Sequence, residues 1–364
     1  MRNIQLDTDC EGPLALNDNA FELCRDFIKP DGDLLFTQVS RYDDYLADIL
    51  KKPGYKAGDT LKLILPFLKA YGLTNAQILD YSSKTLKLMP GVEATYKFLQ
   101  AQEFPIFAIS TSYRQFAEAV GKKLGFKSDH IFCTELDLDR YQLSSGEAGE
   151  LRRLKEEIAA APQIELPAGA RSLEDLPAPA QEAIGRCDRI FWEEIPEMDI
   201  GVIYQEVNPI GGVEKARALE ESLAKTGVSM ADTIYVGDSI TDVQAFEAVR
   251  AGGGLGISFN GNRYAVDAAQ VIVVADTAWP IALLASIFSY WGKESVLDLA
   301  AGSGKPEGSR HLVLPEAVID YLVSGLQGGI FNLYPADTPK KDEVAAESAT
   351  MRAKLRGAAI AALG

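Results

Sequence analysis

Histidine is almost absent from the chain, which contains only His130 and His311 among its 364 residues. A metal site built from several histidines is therefore excluded, and a Ser-His-Asp triad would have to use one of these two. Neither histidine stands in a sequence pattern that is typical of catalysis. We therefore expect structural or surface roles for both histidines.

Cysteines are also scarce and scattered, without CxxC spacing: Cys10, Cys24, Cys133 and Cys187. They are too few for a disulfide framework, which favours reduced thiols in a cytoplasmic protein. No basic segment followed by an apolar run indicates a signal peptide. The most apolar window, residues 265–288, is interrupted by two aspartates and a proline. It predicts a buried strand followed by a helix, so we expect no membrane span.

Positive charge is in deficit, because 36 lysines and arginines face 52 acidic residues and give a formal charge of −16. Such a charge repels the phosphates of nucleic acids, so we expect no nucleic-acid partner. A small anionic substrate remains compatible with this charge if a metal ion neutralises the site. The remaining composition, 47% hydrophobic and 24% charged, is typical of a soluble globular protein.

The order of predicted elements indicates an α/β fold. Strands alternate with helices in two stretches, which predicts right-handed βαβ units and a doubly wound parallel sheet. A helical block and a charge-rich block interrupt this alternation. We therefore divide the chain into an α/β core of residues 1–14, 88–138 and 212–290, a helical insertion 15–87, a second insertion 139–211 and a C-terminal extension 291–364. In the extension we expect helices over about 315–326 and from residue 341 onward.

Polar residues follow several predicted strands at the point where each strand ends. Asp9 and Glu11 follow the first strand, and Ser110 and Thr111 end the second. A later strand leads into Asp238 and Asp242, and Lys215 lies in the chain between Thr111 and Asp238. The carboxyl ends of parallel strands meet at one edge of a sheet, where open α/β sheets place their ligands. We therefore expect these side chains to converge.

These segments resemble the haloacid dehalogenase (HAD) superfamily, particularly its phosphoserine-phosphatase-like branch. Residues 108–112 and the helix that follows resemble the second motif of that branch. Residues 236–242 resemble the fourth motif, and residues 256–260 resemble the segment after it. Lys215, 23 positions before Asp238, stands where the family places its third-motif lysine. The resemblance covers a little over a third of the chain.

The resemblance implies a Mg²⁺-dependent phosphatase that hydrolyses a small phosphorylated metabolite through an aspartyl-phosphate. In that scheme Asp9 is the nucleophile and Glu11 is the acid and base. Ser110, Thr111 and Lys215 would bind the substrate's phosphoryl oxygens, and the metal-binding residues would be Asp9, Glu11, Asp238 and Asp242. Block 15–87 lies where the family inserts a cap of its first type, so the implied architecture is a Rossmann-like core with a helical cap.

The first motif allows two alignments with the family pattern Asp-x-Asp-Gly-Thr. Matching the acids alone would make Asp7 the nucleophile, whereas matching the turn makes it Asp9 and puts Gly12 in the family's glycine position. We favour Asp9, because the backbone freedom of glycine lets the chain leave the strand. Glu11 in place of Asp and Pro13 in place of Thr depart from the pattern.

Two other functions remain compatible with these residues. One is phosphotransfer by the same aspartyl chemistry, and the other is a non-catalytic regulatory or assembly subunit with the same fold. Glu11 and Pro13 make the second alternative credible. The intact Ser110, Lys215, Asp238 and Asp242 speak against it.

Overall fold

A computed structural model describes residues 2–167, 169–302, 316, 319–321, 329–361 and 363. The helix predicted over about 315–326 lies largely outside the described residues. The described strands form one seven-stranded sheet: β1 (Gln5–Thr8), β2 (Ile106–Tyr113), β3 (Ile131–Thr134), β4 (Thr233–Gly237), β5 (Leu255–Phe259), β6 (Val271–Ala275) and β7 (Phe331–Pro335).

The strand order is β3-β2-β1-β4-β5-β6-β7, and all neighbours are parallel except the antiparallel pair β6 and β7. The predicted doubly wound parallel sheet is therefore confirmed, with an antiparallel edge strand that the sequence pattern did not predict. From β1, the strand order continues toward one edge of the sheet through β2 to β3. From β4, it continues toward the other edge through β5 and β6 to β7. In β1, Thr8 is the register partner of both Ala108 and Val236. The topological switch point thus lies between β1 and β4, where doubly wound sheets bind ligands.

Apolar side chains cover both faces of the sheet, because successive residues of a strand point to opposite faces. Ile234 and Val236 of β4 belong to a large buried cluster, whereas Tyr235 between them belongs to another. Helices pack over each cluster and shield the strands from water. This burial explains the near-continuous apolar runs of the central strands.

The helices pack on the sheet and above it, and several begin at a capping residue. Asp18 caps α1, and both Thr74 and Ser144 form capping boxes at α5 and α8. The described helices are α1 (Asn19–Phe27), α2 (Gly32–Asp44), α3 (Thr60–Leu63), α4 (Leu65–Ala70), α5 (Asn75–Thr85), α6 (Val92–Ala101), α7 (Arg114–Leu124), α8 (Ser145–Ala160), α9 (Ala178–Arg189), α10 (Ile203–Glu206), α11 (Val213–Thr226), α12 (Val243–Ala251), α13 (Arg263–Ala268), α14 (Trp279–Trp291), α15 (Lys293–Ala300), α16 (Lys341–Arg356) and α17 (Ala358–Ala361).

The two insertions predicted from the sequence share one hydrophobic cluster above the sheet. Tyr42 from the first insertion stacks on Phe191 from the second, with ring centroids 5.7 Å apart. The Tyr42 hydroxyl donates to Asp188 at 2.5 Å and accepts from Trp192 Nε1 at 2.7 Å. Residues 15–87 and 139–211 therefore pack as one helical layer, which we call the cap.

Helix α16 docks against the core beside the later strands. Val344 is buried in a cluster with Ile272, and the Ser348 hydroxyl donates to the Gly261 carbonyl at 2.7 Å. Tyr334 of β7 also donates to Glu347 at 2.6 Å. These contacts fix the rotation of α16, so that its next turns point toward the end of β4. None of the helices in the described ranges has both the length and the apolar content that crossing a lipid bilayer requires.

Candidate active site

An open cavity lies between the carboxyl edge of the sheet and the cap. Its floor comes from the loops after β1 and β4, and its walls come from the cap and from α16. The core loops contribute Asp9, Glu11, Thr111 and Asp238 to its lining. A concave site at the switch point is where an α/β fold is expected to bind a small molecule.

Asp9 stands at the centre of this floor. Its backbone amide donates to the Val236 carbonyl at 2.8 Å, which ties the loop after β1 to the end of β4. Its Oδ1 accepts from the Cys10 amide at 2.7 Å, and its Oδ2 lies 2.6 Å from Lys215 Nζ. Burial raises the pKa of Asp9 to about 7, although the Lys215 charge acts in the opposite direction.

Lys215 is fully buried in the first turn of α11 and joins two carboxylates. Besides Asp9, its ammonium group donates to Asp242 Oδ1 at 2.7 Å. Burial alone would lower the pKa of Lys215, but Asp242 and Asp9 outweigh burial and raise it above its usual range. The lysine therefore stays charged and fixes the position of the Asp9 carboxylate.

Asp242 has hydrogen-bond donors on both of its oxygens. Oδ1 also accepts from the Tyr235 hydroxyl at 2.7 Å, and Oδ2 accepts from the amides of Asp238 and Ser239 at 2.9 and 3.0 Å. The Asp242 carboxylate therefore fixes the conformation of the loop after β4. Tyr235 was not predicted as part of the site, because a tyrosine inside an apolar strand pattern gives no signal of a polar role.

Asp9, Asp238 and Asp242 form a buried group that could hold a metal ion, since one carboxylate oxygen from each lies within 4.8 Å of the others. Oxygen ligands of this kind suit a hard divalent cation. Asp9 and Asp238 fit direct contact best, because Oδ1 of Asp242 already accepts two hydrogen bonds and its Oδ2 accepts three. Glu11, which the family resemblance also suggested as a ligand, is not part of this group.

Glu11 lines the cavity two residues after Asp9, and its Oε1 accepts from the amide of Asn19 at 2.7 Å. Asn19 begins α1, so Glu11 links the loop after β1 to the cap. Burial, assisted by the nearby Asp18 charge, raises the pKa of Glu11 to about 8. A carboxyl group with this pKa carries a proton at neutral pH and can donate it.

Asp7 has different surroundings from Asp9. It is fully buried within β1, where its Oδ2 accepts from Gln5 Nε2 at 2.8 Å. Burial raises the pKa of Asp7 to about 7, and its other oxygen has no partner among the described residues. Asp9 lines the cavity, whereas Asp7 is not among the residues that line it.

The hydroxyl residues at the end of β2 have separate positions. Ser110 is fully buried, and its Oγ accepts from the Ser112 amide at 3.1 Å. Thr111 lines the cavity, and its Oγ1 has no hydrogen-bond partner among the described residues. Of the two, Thr111 therefore has the hydroxyl that is free to meet a ligand.

Gly12 allows the two acidic loops to approach each other. Its φ is +100°, and a Cβ atom built on it would lie 2.2 Å from Asp238 Oδ2. Any side chain at this position would displace Asp238 and strain the backbone. The glycine that decided the alignment of the first motif thus has a packing role as well as a conformational one.

The cap contributes two neighbouring acids from the end of α2 to the cavity wall, Asp43 and Asp44. Asp43 accepts from the amides of Gly58 and Thr60 at 3.0 and 3.2 Å, which orders the loop that faces the core. Burial raises the pKa of Asp43 to about 6 and that of Asp44 to about 8. The cap therefore presents a buried acidic wall to the cavity, in which Asp44 holds its proton more tightly than Asp43.

Arg352 and Arg356 of α16 also line the cavity, and the sequence analysis missed both. Each donates from a terminal nitrogen to Asp238 Oδ2, Arg356 at 2.9 Å and Arg352 more closely. Their spacing of four residues predicts a shared helix face, which was the available signal. The sequence could not show that this face of α16 meets the end of β4.

No protein-family model matches the chain, and no curated protein matches it. Among solved structures, the chain is similar to a gene product from Archaeoglobus fulgidus, with 29% sequence identity, 99% of each chain covered and a TM-score of 0.79. A substrate-bound phosphoserine phosphatase also matches, with 15% identity, 71% of this chain and 86% of that chain covered and a TM-score of 0.41. A HAD family hydrolase from Salmonella enterica matches with 13% identity, 71% and 62% coverage and a TM-score of 0.41.

Proposed function

We propose that the chain is a phosphatase of the haloacid dehalogenase type, which hydrolyses a small phosphomonoester with Mg²⁺ through an aspartyl-phosphate. The observation that supports this most is the position of Asp9 at the switch point, 2.6 Å from a buried lysine and within 4.8 Å of two further carboxylates. A lone buried aspartate would lose its charge, whereas Lys215 favours the charged form of this one. A charged carboxylate that faces a cavity can act as a nucleophile.

In the first step, the Asp9 carboxylate attacks the phosphorus atom of the substrate. A phosphorus–oxygen bond to Asp9 forms, and the bond to the leaving alcohol breaks. Glu11 donates its proton to the departing oxygen, which requires the raised pKa that burial gives it. Lys215, already beside Asp9, would attract the oxygens of the transferred group.

In the second step, water attacks the phosphorus atom of the aspartyl-phosphate. Glu11, now ionised, accepts the proton from this water, and the bond to Asp9 breaks to release inorganic phosphate. A Mg²⁺ ion held by Asp9 and Asp238 would reduce the repulsion between the carboxylate and the phosphoryl group. The cap covers the cavity and restricts the access of other water molecules.

The test is hydrolysis of a panel of phosphomonoesters with Mg²⁺, repeated after chelation of the metal. We expect Asp9→Asn to lower kcat by about 10³-fold or more, because the nucleophile is lost. Glu11→Gln should lower it by about 10²- to 10⁴-fold with alkyl leaving groups, because the proton donor is lost. Asp7→Asn is the matched control, since it removes a buried acid of the same strand and should retain activity.

Three results would contradict the proposal or part of it. Hydrolysis of no member of the panel would favour the non-catalytic alternative. Loss of activity in Asp7→Asn with activity kept in Asp9→Asn would reverse the alignment of the first motif. Phosphate transfer to an added alcohol at the expense of hydrolysis would favour a phosphotransferase.

A further inference from the structure

Arg352 and Arg356 are buried at the cavity wall, although arginine is rarely buried. Both side chains are 5% exposed. Fixing two such long side chains costs about 2 kcal/mol each in conformational entropy. One guanidinium group would suffice to neutralise Asp238, yet two are directed at the same oxygen. A second cation at this carboxylate therefore requires a further explanation.

Arg356 uses its donors to join α16 to the nucleophile loop. Besides its bond to Asp238, its Nε donates to the Leu16 carbonyl at 3.2 Å, and its other terminal nitrogen donates to the Asn17 carbonyl at 2.8 Å. All three of its nitrogens thus have protein acceptors, and its role as an anchor is complete.

Arg352 is different, because its Nε is buried and has no hydrogen-bond partner among the described residues. Within the described ranges, its hydrogen bonds come from one terminal nitrogen, which donates to both the carboxylate and the carbonyl oxygen of Asp238. A buried donor without an acceptor is unfavourable. Arg352 therefore has donor capacity that the protein itself does not use.

The lining of the cavity is mostly acidic, so an anionic ligand needs a cation there to offset the repulsion. In the described lining, the cations are Arg352 and Arg356 alone. The six acidic residues of the same lining are Asp9, Glu11, Asp18, Asp43, Asp44 and Asp238. An anion that enters is repelled by every ionised acid of this wall. Guanidinium groups bind oxyanions well, because their donors match the spacing of carboxylate and phosphate oxygens.

We propose that Arg352 is a substrate-binding residue that receives an oxyanion of the phosphomonoester, while Arg356 anchors the helix that presents it. The oxyanion is either an oxygen of the transferred phosphoryl group or a carboxylate on the leaving group. This inference rests on the phosphatase function proposed above. A divalent cation at Asp238 would weaken the ion pair with Arg352, which leaves the guanidinium group available to the substrate.

Affinity can be measured without turnover in the Asp9→Asn protein with Mg²⁺, by calorimetric titration with methyl phosphate and with phosphoglycolate. Adding Arg352→Gln should weaken binding by about 10- to 100-fold, as expected for hydrogen bonds to a charged group. An equal loss for both ligands identifies the phosphoryl group as the acceptor. A loss for phosphoglycolate alone identifies the carboxylate.

Lys354→Gln is the matched control, because it removes a cation from the exposed side of the same helix and should leave both affinities unchanged. Arg352→Lys, which keeps the charge but loses the planar donors, should bind with intermediate affinity. It replaces Arg352→Gln in the comparison if that variant does not fold. Affinities in the arginine variants equal to that of Lys354→Gln would overturn the inference.

The two proposals fail separately. Hydrolysis by the wild-type protein together with affinity that does not depend on Arg352 would overturn the role of Arg352 alone. Binding that depends on Arg352 without hydrolysis of any phosphomonoester would overturn the phosphatase proposal alone. Binding of neither ligand, together with hydrolysis of no phosphomonoester of the panel, would overturn both.

Discussion

Replacing Lys215 with methionine tests whether the buried charges of the site depend on one another. Lys215 is fully buried, and its ammonium group lies 2.6 Å from Asp9 and 2.7 Å from Asp242. Methionine has a similar length but no charge, so the substitution leaves two buried carboxylates without their common partner. Removing one member of a buried ion pair costs about 3–5 kcal/mol of stability.

The geometry of the site supports a cost of this size. One carboxylate oxygen of Asp9 lies within 4.8 Å of one carboxylate oxygen of Asp242. At an effective dielectric constant of about 20, two negative charges at that distance repel by about 3 kcal/mol. Loss of Lys215 also removes the charge that lowers the pKa of Asp9, so that pKa rises further. A folded-state pKa above the unfolded value makes stability fall as the pH rises.

The assay is urea unfolding of both proteins at pH 6 and pH 9, followed by fluorescence. We expect Lys215→Met to lose about 3–5 kcal/mol at pH 9 and less at pH 6, where protonation of Asp9 relieves the repulsion. Adding Asp242→Asn should recover about 2 kcal/mol at pH 9, without recovery of activity. Glu220→Gln, an exposed change on the same helix, should alter stability by less than about 0.5 kcal/mol.

Two results would refute this account of the buried charges. Lys215→Met could prove as stable as the wild-type protein at pH 9. Alternatively, Asp242→Asn could destabilise the Lys215→Met protein further, which would mean that Asp242 contributes by its hydrogen bonds and not through charge repulsion.

Two further substitutions test the packing and the charge of the cavity wall. Gly12→Ala should abolish activity and lower stability by about 2 kcal/mol or more, because its Cβ would lie 2.2 Å from Asp238 Oδ2 and its φ is positive. The control is Gly72→Ala, where φ is also positive but no atom lies within 4 Å of the added Cβ. It should cost only about 1 kcal/mol of stability and keep full activity. Equal effects of the two alanines in melting and turnover assays would contradict the proposed close approach. Burial raises the pKa of Asp44 to about 8, so the folded state binds its proton more tightly than the unfolded state and stability falls as the pH rises from about 4 to about 8. Asp44→Asn should therefore be more stable than the wild-type protein at pH 8, by up to a few kcal/mol in urea unfolding, and no more stable at pH 4. The exposed Asp33→Asn on the same helix should show no such dependence, and a pH-independent effect of Asp44→Asn would show that burial of its charge is not the cause.

The centre of the site was the most predictable part of the molecule. Asp9 and Asp238 each follow a strand, and Thr111 lies near the end of another. The parallel order of the strands brings these carboxyl ends together at one edge of the sheet. Lys215 was predicted for a different reason, because the family resemblance places a lysine near the start of the helix that leads to β4. The predicted parallel sheet is confirmed for the same physical reason, because βα alternation restricts the possible topologies.

Long-range packing was much less predictable. The strand β7 is short and half-buried, and it returns antiparallel from a segment with no βα rhythm. The common core of the two insertions depends on side chains such as Tyr42 and Phe191, which are far apart in the sequence. In the sequence, Arg352 belongs to a charged helix face, and such faces ordinarily contact solvent. In each case the position depends on shape complementarity between distant segments, which local sequence patterns do not encode.

The shared core of the cap has a mechanical consequence. A cap inserted once would be connected to the sheet by two adjacent chain segments and could swing about the line between them. This cap is one packed body with two insertions, so four connections join it to the core, after β1, before α6, after β3 and before α11. Four separated attachments leave little freedom for rotation. Admission of a ligand therefore requires a small sliding motion or a local rearrangement of loops, and a wide opening would first have to break the core that holds Tyr42 against Phe191.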